Sequence, residues 1–181
     1  MKIYTVRHGQ TDSNQKKLLM GQRVDEPLND TGIKQAEELS EGLSGESFGV
    51  IFSSPLKRAK ETAEIINKDS GITIRIDDRI TERDFGSLSG KNWDKIKSEA
   101  YWTVHDDDRA QKYDYSSFGG ETAKEVKERL LSFLDDLKKE HKNKKVLIVA
   151  HGGIMKILQL IYGEGQEIFT PENAKLYCFD I

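Results

Sequence analysis

Ile3-Tyr4-Thr5-Val6-Arg7-His8-Gly9, near the start of the chain, and Val146-Leu147-Ile148-Val149-Ala150-His151-Gly152-Gly153, near its end, follow one plan: a short run of strand formers that stops at His-Gly. Each run is apolar, rich in β-branched residues and about as long as a strand, which is how a strand buried on both faces reads. In an open α/β sheet, ligands bind beyond the carboxyl ends of the strands. If these two strands lie side by side and parallel, His8 and His151 reach the same crevice, with Arg7 beside them. Two imidazoles and a guanidinium converging there suit chemistry on an anion, above all on a phosphoryl group.

Outward from these runs, strands and helices alternate. Asn29 reads as the N-cap of a helix with Ile33, Ala36, Leu39 and Leu43 on one face. Gly49 to Ser53 reads as a strand. Ser54-Pro55 then opens a helix, with Ser as N-cap and Pro at the first helical position, and with Leu56, Ala59, Ala63 and Ile66 as its apolar stripe. Residues 72–76 alternate as a third strand. From Glu121 a long amphipathic helix carries Val126, Leu130, Phe133, Leu134 and Leu137. A helix over about 153–162 and a strand at 175–181 complete the pattern. It predicts an α/β fold, a three-layer α/β/α sandwich with a mostly parallel central sheet, formed by one domain over 1–181.

Residues 83–120 are the irregular part, with a short helix expected around 92–100. They hold Gly86, Gly90, Gly119 and Gly120, the run Asp106-Asp107-Asp108, and the aromatics Trp93, Tyr101, Trp102, Tyr113, Tyr115 and Phe118. Such a stretch reads as an insertion covering the site. The alternative reading is a satellite cluster that packs aromatics on the sheet edge.

Of the 181 residues, 33% are charged and 36% hydrophobic, and the net charge is −3. That balance lacks the basic face of a nucleic-acid or acidic-membrane binder, so neither partner is expected. A lone Cys178 offers neither a disulfide nor a cysteine metal cluster, and no metal or cofactor is expected. Met1-Lys2 runs straight into the first strand and no apolar stretch is long enough to span a bilayer, so a cytoplasmic location is expected. Oligomeric state is not legible.

The first strand ends in Arg7-His8-Gly9-Gln10-Thr11-Asp12-Ser13-Asn14. A histidine alone after a strand is ordinarily structural. Arg and Gly flanking it favour a ligand site, with Gly9 admitting a close approach and Thr11 and Asn14 offering neutral donors. Arg58 falls close to the N-terminus of its helix, where the dipole disfavours a cation unless an anion lies nearby. Taken alone, a solvated surface Arg competes with that reading.

These residues occur in order with Ser54-Pro55-Leu56-x-Arg58-Ala59-x-x-Thr62-Ala63, Glu82 before Gly86-x-Leu88-x-Gly90, Gly120-Glu121-Thr122, and His151-Gly152. Together they resemble the histidine phosphatase superfamily, which includes the cofactor-dependent phosphoglycerate mutases, and the resemblance covers nearly the whole chain. It implies a phosphoglycerate mutase-like fold. It implies that His8 is the nucleophile that becomes phosphorylated, that Arg7, Arg58 and His151 hold the transferring group, and that Glu82 is the proton donor and acceptor. Asn14, Thr11 and the backbone of Gly152 would complete the phosphate pocket. Asp84 and the Asp106–Asp108 run are rival carboxylates to Glu82. Gly21, Gln22 and Arg83 are candidates to touch the rest of the substrate, with plain solvent exposure as the competing reading for Gln22 and Arg83.

The residue types suit the reaction. A phosphate monoester is close to a dianion at neutral pH, and guanidiniums neutralise it with planar, paired donors. Imidazole is largely neutral at pH 7, and nearby arginines keep it so. Glu82 must carry a proton to the leaving alkoxide, and the arriving dianion favours that protonated form. The compact pattern Gly21-x-x-x-Asp25-x-Pro27-Leu28-x-x-x-Gly32-x-x-Gln35-Ala36 resembles the phosphatase branch. The covering segment offers Arg109 alone where the mutases carry paired arginines. The expected activity is therefore a metal-independent hydrolysis of a small phosphorylated metabolite. The alternatives are a phosphoglycerate mutase, and a non-catalytic or phosphoprotein-directed phosphate binder.

Overall fold

The structure is a computed structural model that describes residues 1–96, 104, 111–163 and 168–181. Five strands form one sheet: β1 (Lys2–Arg7), β2 (Val50–Ser53), β3 (Ile74–Ile76), β4 (Val146–Ala150) and β5 (Leu176–Asp180). Their order is β3-β2-β4-β1-β5. β1 and β4 are parallel neighbours, with Val6 opposite Val149 and Arg7 opposite Ala150. β2 runs parallel to β4 and β3, and β5 lies antiparallel on β1. The chain passes from β1 to β2 and β3, then returns to place β4 in the gap between β2 and β1. Thus the carboxyl ends of β2, β4 and β1 sit side by side.

All five residues of β4 are buried, so a period-2 strand must feed two cores. Val146, Ile148 and Ala150 pack with Val50, Phe52 and Ile3 beneath α4 (Ala123–His141) and α5 (Gly152–Tyr162). Leu147 and Val149 pack with Ile51 and Val6 against Ala59, Ala63 and Ile66 of α3 (Lys57–Asn67). Partly buried Leu39 and Leu43 of α2 (Asp30–Gly42) and its flank complete that second layer. Each large aliphatic side chain so buried contributes about 1.5–3 kcal/mol.

α4 forms as its stripe and caps dictate. Val126, Leu130, Phe133, Leu134 and Leu137 are buried, and Thr122 and Glu125 close a capping box (Glu125 N to Thr122 Oγ1 3.2 Å, Thr122 N to Glu125 Oε2 2.8 Å). Its last turn carries the cations Lys138 and Lys139 against the negative end of the dipole.

Four local expectations change. The third strand is confined to Ile74–Ile76. Ile33 is 39% exposed because the buried side of α2 is set by Gly32 and Ala36, four residues apart, and Ile33 lies to one side of that line. The helix after β2 begins at Lys57 rather than at Pro55, because the Ser54 hydroxyl is engaged by His151. Around 92–100 there is a 3₁₀ turn at Trp93–Lys95, and residues 97–103 lie outside the described residues. Further 3₁₀ turns occupy Gly86–Leu88 and Ser116–Phe118 in this irregular stretch.

Candidate active site

The end of β1 and the end of β4 bring His8 and His151 together. Their ring centroids are 5.2 Å apart with planes tilted by 57°. The backbone N–H of His8 donates to Ala150 O at 3.0 Å, and that of Ser54 donates to Val149 O at 3.1 Å, so three strand ends are laced into one ledge. Both rings are buried. Burial holds both imidazoles well below the ordinary histidine pKa, and the positive charges of Arg58 and Arg7 push in the same direction.

Nδ1 of His8 lies 2.7 Å from the carbonyl oxygen of Gly9. A carbonyl only accepts, so the proton resides on Nδ1 and the lone pair on Nε2. His151 is arranged in the opposite sense. Its Nε2 meets the Ser54 hydroxyl at 2.7 Å, while Nδ1 is buried with no partner among the described residues. When the hydroxyl donates, Nδ1 keeps the hydrogen and is an unused donor on a ring packed against His8, although His151 itself does not line the cleft that opens beside these groups.

This explains the late start of α3. Ser54 Oγ is engaged by His151 and reaches Leu56 N only at 3.4 Å, so it is not the N-cap. Leu56 is the capping residue and has no side-chain bond, and Asp25 Oδ1 accepts from Lys57 N at 2.7 Å instead. The Ser-Pro signal marks the right place in the chain but serves the site.

Arg58, in the first turn of α3, is fully buried, which removes the surface reading. Its Nη1 and Nη2 donate to Val24 O (3.0 Å) and Gly21 O (2.9 Å), and the left-handed φ of Gly21, 54°, turns that carbonyl toward it. Desolvation lowers Arg58 to about 10, opposed by the carboxylates of Glu82, Asp25 and Glu26. Arg7 is likewise lowered by burial and tied through Nη1 to Pro171 O at 2.8 Å. In both arginines Nε is buried without a partner among the described residues. Three orphaned donors thus remain: Arg7 Nε, Arg58 Nε and His151 Nδ1. An unpaired buried donor costs about 1–3 kcal/mol, more when charged, and a tetrahedral oxyanion would recover it. The N-terminus of α5, at Gly152, opens on the same place.

Glu82 faces this cluster. Its Oε1 accepts from Arg83 N and its Oε2 from Gly153 N, each at 3.0 Å. A Cβ on Gly153 would collide with Oε1, so the second glycine of His-Gly-Gly makes room for the carboxylate. The rival Asp84 is spent elsewhere: it takes a forked contact from Arg23 at 2.8–3.1 Å and accepts from Gly86 N at 2.8 Å. Asp106–Asp108 and Arg109 lie outside the described residues.

Beside these groups opens a cleft of about 500 Å³, lined by Arg7, His8, Asn14, Arg58, Glu82 and Gly152 and also by Met20, Phe85, Trp93, Tyr115, Lys156 and Thr170. Gly21 and Arg83 also line it. Arg83 is 6% exposed, its guanidinium held over the rings of Phe85 (5.0 Å) and Tyr113 (4.5 Å), so its solvent-exposed reading is overturned by this packing. Gln22 turns to Glu121 at 2.9 Å, and Thr11 caps α1 (Asp12–Gln15) through Asn14 N at 3.2 Å; neither lines the cleft. Gly9 does not serve ligand approach. A Cβ there would lie 2.5 Å from Gly32 O, so its smallness seats the loop on α2. A larger hollow of about 740 Å³ between α2 and α3 contains no histidine or arginine in its lining.

The sequence reading gives Ser54 only as a helix cap and assigns no site role to Ser54, Gly153 or Lys156. Lys156 follows Gly152 by four residues, one helical turn, which is the available signal. Burial lowers it to about 8, helped by Arg83 and Arg7 and opposed by Glu82.

Comparison with known proteins agrees with this geometry. Residues 3–178 match the histidine phosphatase superfamily (branch 1). The chain is 38% identical over 156 residues to the uncharacterized phosphatase PhoE of Bacillus subtilis, covering 86% of this chain and 74% of that one. It is 34% identical to a metal-independent phosphoserine phosphatase of Arabidopsis thaliana, covering 87% and 67%. Among solved structures, Bacillus stearothermophilus YhfR superposes with a TM-score of 0.86 at 27% identity, covering 99% of this chain and 91% of that one. With the family matched along nearly its whole length and named phosphatases among its relatives, this chain belongs to branch 1 of the histidine phosphatase superfamily and is an enzyme of its phosphatase kind.

Proposed function

We propose that the protein hydrolyses a small phosphomonoester through a phosphohistidine formed on Nε2 of His8. The observation that carries this reading is the pairing of a neutral, bare Nε2 with three orphaned donors on Arg7, Arg58 and His151. Nε2 attacks phosphorus, and the P–O bond to the alcohol breaks. The three donors, with the N-terminus of α5, hold the non-bridging oxygens as charge shifts among them. Glu82 gives its proton to the departing alkoxide. In the second half, water attacks phosphorus, Glu82 takes a proton from it, and the P–N bond breaks to release phosphate and restore His8.

Hydrolysis is favoured over isomerisation by the phosphatases among the relatives, and a small substrate by a cleft of about 500 Å³. A phosphorylated carboxylic acid is compatible with Lys156 and Arg83 in its lining, and one relative is named a phosphoserine phosphatase. Rapid quenching with a ³²P-labelled monoester, followed by peptide mapping, should find acid-labile, base-stable label on His8, and His8→Ala should lose both label and turnover. Undiminished phosphate release by His8→Ala would sink the reading. Scoring 3-phosphoglycerate for both products separates the mutase alternative: isomerisation faster than phosphate release would establish it.

A further inference from the structure

We propose that Thr62 and Asn173 form a clamp on the His8–Gly9 peptide and thereby aim the nucleophile, an inference that rests on His8 being the group that is phosphorylated. The carbonyl of His8 accepts from Asn173 Nδ2 at 2.8 Å, and the N–H of the same peptide, on Gly9, donates to Thr62 Oγ1 at 3.0 Å. A peptide unit is planar, so holding its oxygen and its hydrogen from opposite sides fixes the whole plane. The next carbonyl, that of Gly9, is the acceptor that keeps the proton of His8 on Nδ1. Glycine lacks the Cβ that would otherwise restrict its torsions. The Gly9–Gln10 peptide that carries this carbonyl is held separately, its N–H donating to Gln35 Oε1 at 2.9 Å, so without the clamp His8 shifts against a fixed acceptor, and the hydrogen that marks Nε2 as the bare nitrogen is no longer held on Nδ1.

Both arms are themselves anchored. Thr62 Oγ1 donates to Arg58 O at 2.7 Å, which commits its hydrogen and leaves lone pairs for Gly9. The arm from α3 therefore ties His8 to the helix that supplies Arg58. The other arm belongs to the segment before β5. There Ala174 N donates to Arg7 O at 2.8 Å, and Pro171 O receives Arg7 Nη1 at 2.8 Å. Ala174 adopts a left-handed φ of 47°, unfavourable for a residue with a Cβ. That turn lets Asn173 and Ala174 address the consecutive carbonyls of His8 and Arg7. Gln159 on α5 exchanges two hydrogen bonds with the Phe169 backbone (2.9 and 3.2 Å), fastening the segment at its start.

Thr62 and Asn173 do not line the cleft, so they are positioning residues. Their loss should slow phosphoryl transfer into His8 and leave substrate binding largely intact. The test compares the parent with Asn173→Ala, the isosteric Asn173→Asp and Thr62→Val, using p-nitrophenyl phosphate in rapid quench and ¹⁵N-histidine NMR. Phosphoenzyme formation is expected to fall about tenfold or more in each variant, with KM within about threefold of the parent. The His8 signals should move from an Nδ1–H pattern toward a tautomer mixture. Asn173→Asp should be no faster than Asn173→Ala, because an ionised carboxylate donates nothing to the carbonyl. Formation rates within about twofold of the parent, or slow rates with the Nδ1–H pattern unchanged, would overturn the clamp. A parent that never labels His8 refutes the phosphohistidine reading instead, so the two failures are distinct.

Discussion

Ser54 Oγ and His151 Nε2 lie 2.7 Å apart, and this contact decides which nitrogen of His151 can donate to an anion. Ser54→Ala removes it and leaves a second nitrogen of a fully buried ring unpaired. The proton is then free to reside on either nitrogen. The expected result is a fall in kcat of about tenfold, the equivalent of about 1.4 kcal/mol. Ser54→Thr, which keeps the hydroxyl, should retain more activity than Ser54→Ala. Equal kcat in parent and Ser54→Ala would show that His151 needs no such partner.

The histidines also set the acid side of the pH dependence. His8 and His151 are held well below the ordinary value by burial first and by Arg58 and Arg7 next. The acid limb of kcat/KM should therefore not fall at the usual imidazole value of about 6.5, because His8 stays neutral and nucleophilic beneath it. Arg58→Met removes one of the positive charges that depress His8, so any imidazole limb should move to higher pH. Stability follows the same sign. Below pH about 6.5 the unfolded chain binds protons on these histidines that the native chain refuses, so unfolding becomes easier as pH falls. Denaturant midpoints measured from pH 7 to pH 5 should decline, and less steeply in His151→Gln.

Those charge relations show what was legible in the chain and what was not. The strands ending at His8 and His151 could be read because a strand buried on both faces has an unmistakable apolar run, and β-rich runs that stop at the same dipeptide invite pairing. The burial of Arg58 could not be read, since its partners are the carbonyls of Gly21 and Val24, and main-chain acceptors leave no trace in residue identity. Ser54 departs from its local signal for a related reason. Ser-Pro is a sound helix-start signal, but the partner that takes the hydroxyl is 97 residues away. The sequence alone suggests that Gly9 admits a ligand, whereas its lack of a side chain accommodates Gly32 on another element. Local pattern reports local geometry; the contacts that complete this site are long-range.

Lys156 gives the alkaline side a separate handle. It lines the cleft and titrates at about 8, so most of its charge is lost by pH 9. If it attracts the substrate's anionic groups, KM for an anionic monoester should rise between pH 7 and pH 9, by about threefold to tenfold for one charge lost at short range. Lys156→Met should show the raised KM already at pH 7 and little further change. A parallel rise in both enzymes would remove Lys156 from substrate binding.

Gly153 makes the sharpest demand on the proton step. Its N–H donates to Glu82 Oε2 at 3.0 Å, and a Cβ in its place would strike Oε1. Gly153→Ala must therefore displace the Glu82 carboxylate while the phosphoryl-holding groups on Arg7, Arg58 and His151 stay in place. The consequence depends on the leaving group. An alkyl phosphate releases a strongly basic alkoxide and needs the proton, so turnover should fall by about 100-fold, the scale of a lost general acid. p-Nitrophenyl phosphate releases a stable phenolate and needs little help, so formation of the phosphoenzyme from it should fall far less. Glu82→Gln should repeat that contrast, because it removes the proton without crowding the helix. Equal losses on both substrates in both variants would mean that Glu82 holds the phosphoryl group or the fold, and that the leaving oxygen takes its proton from another source.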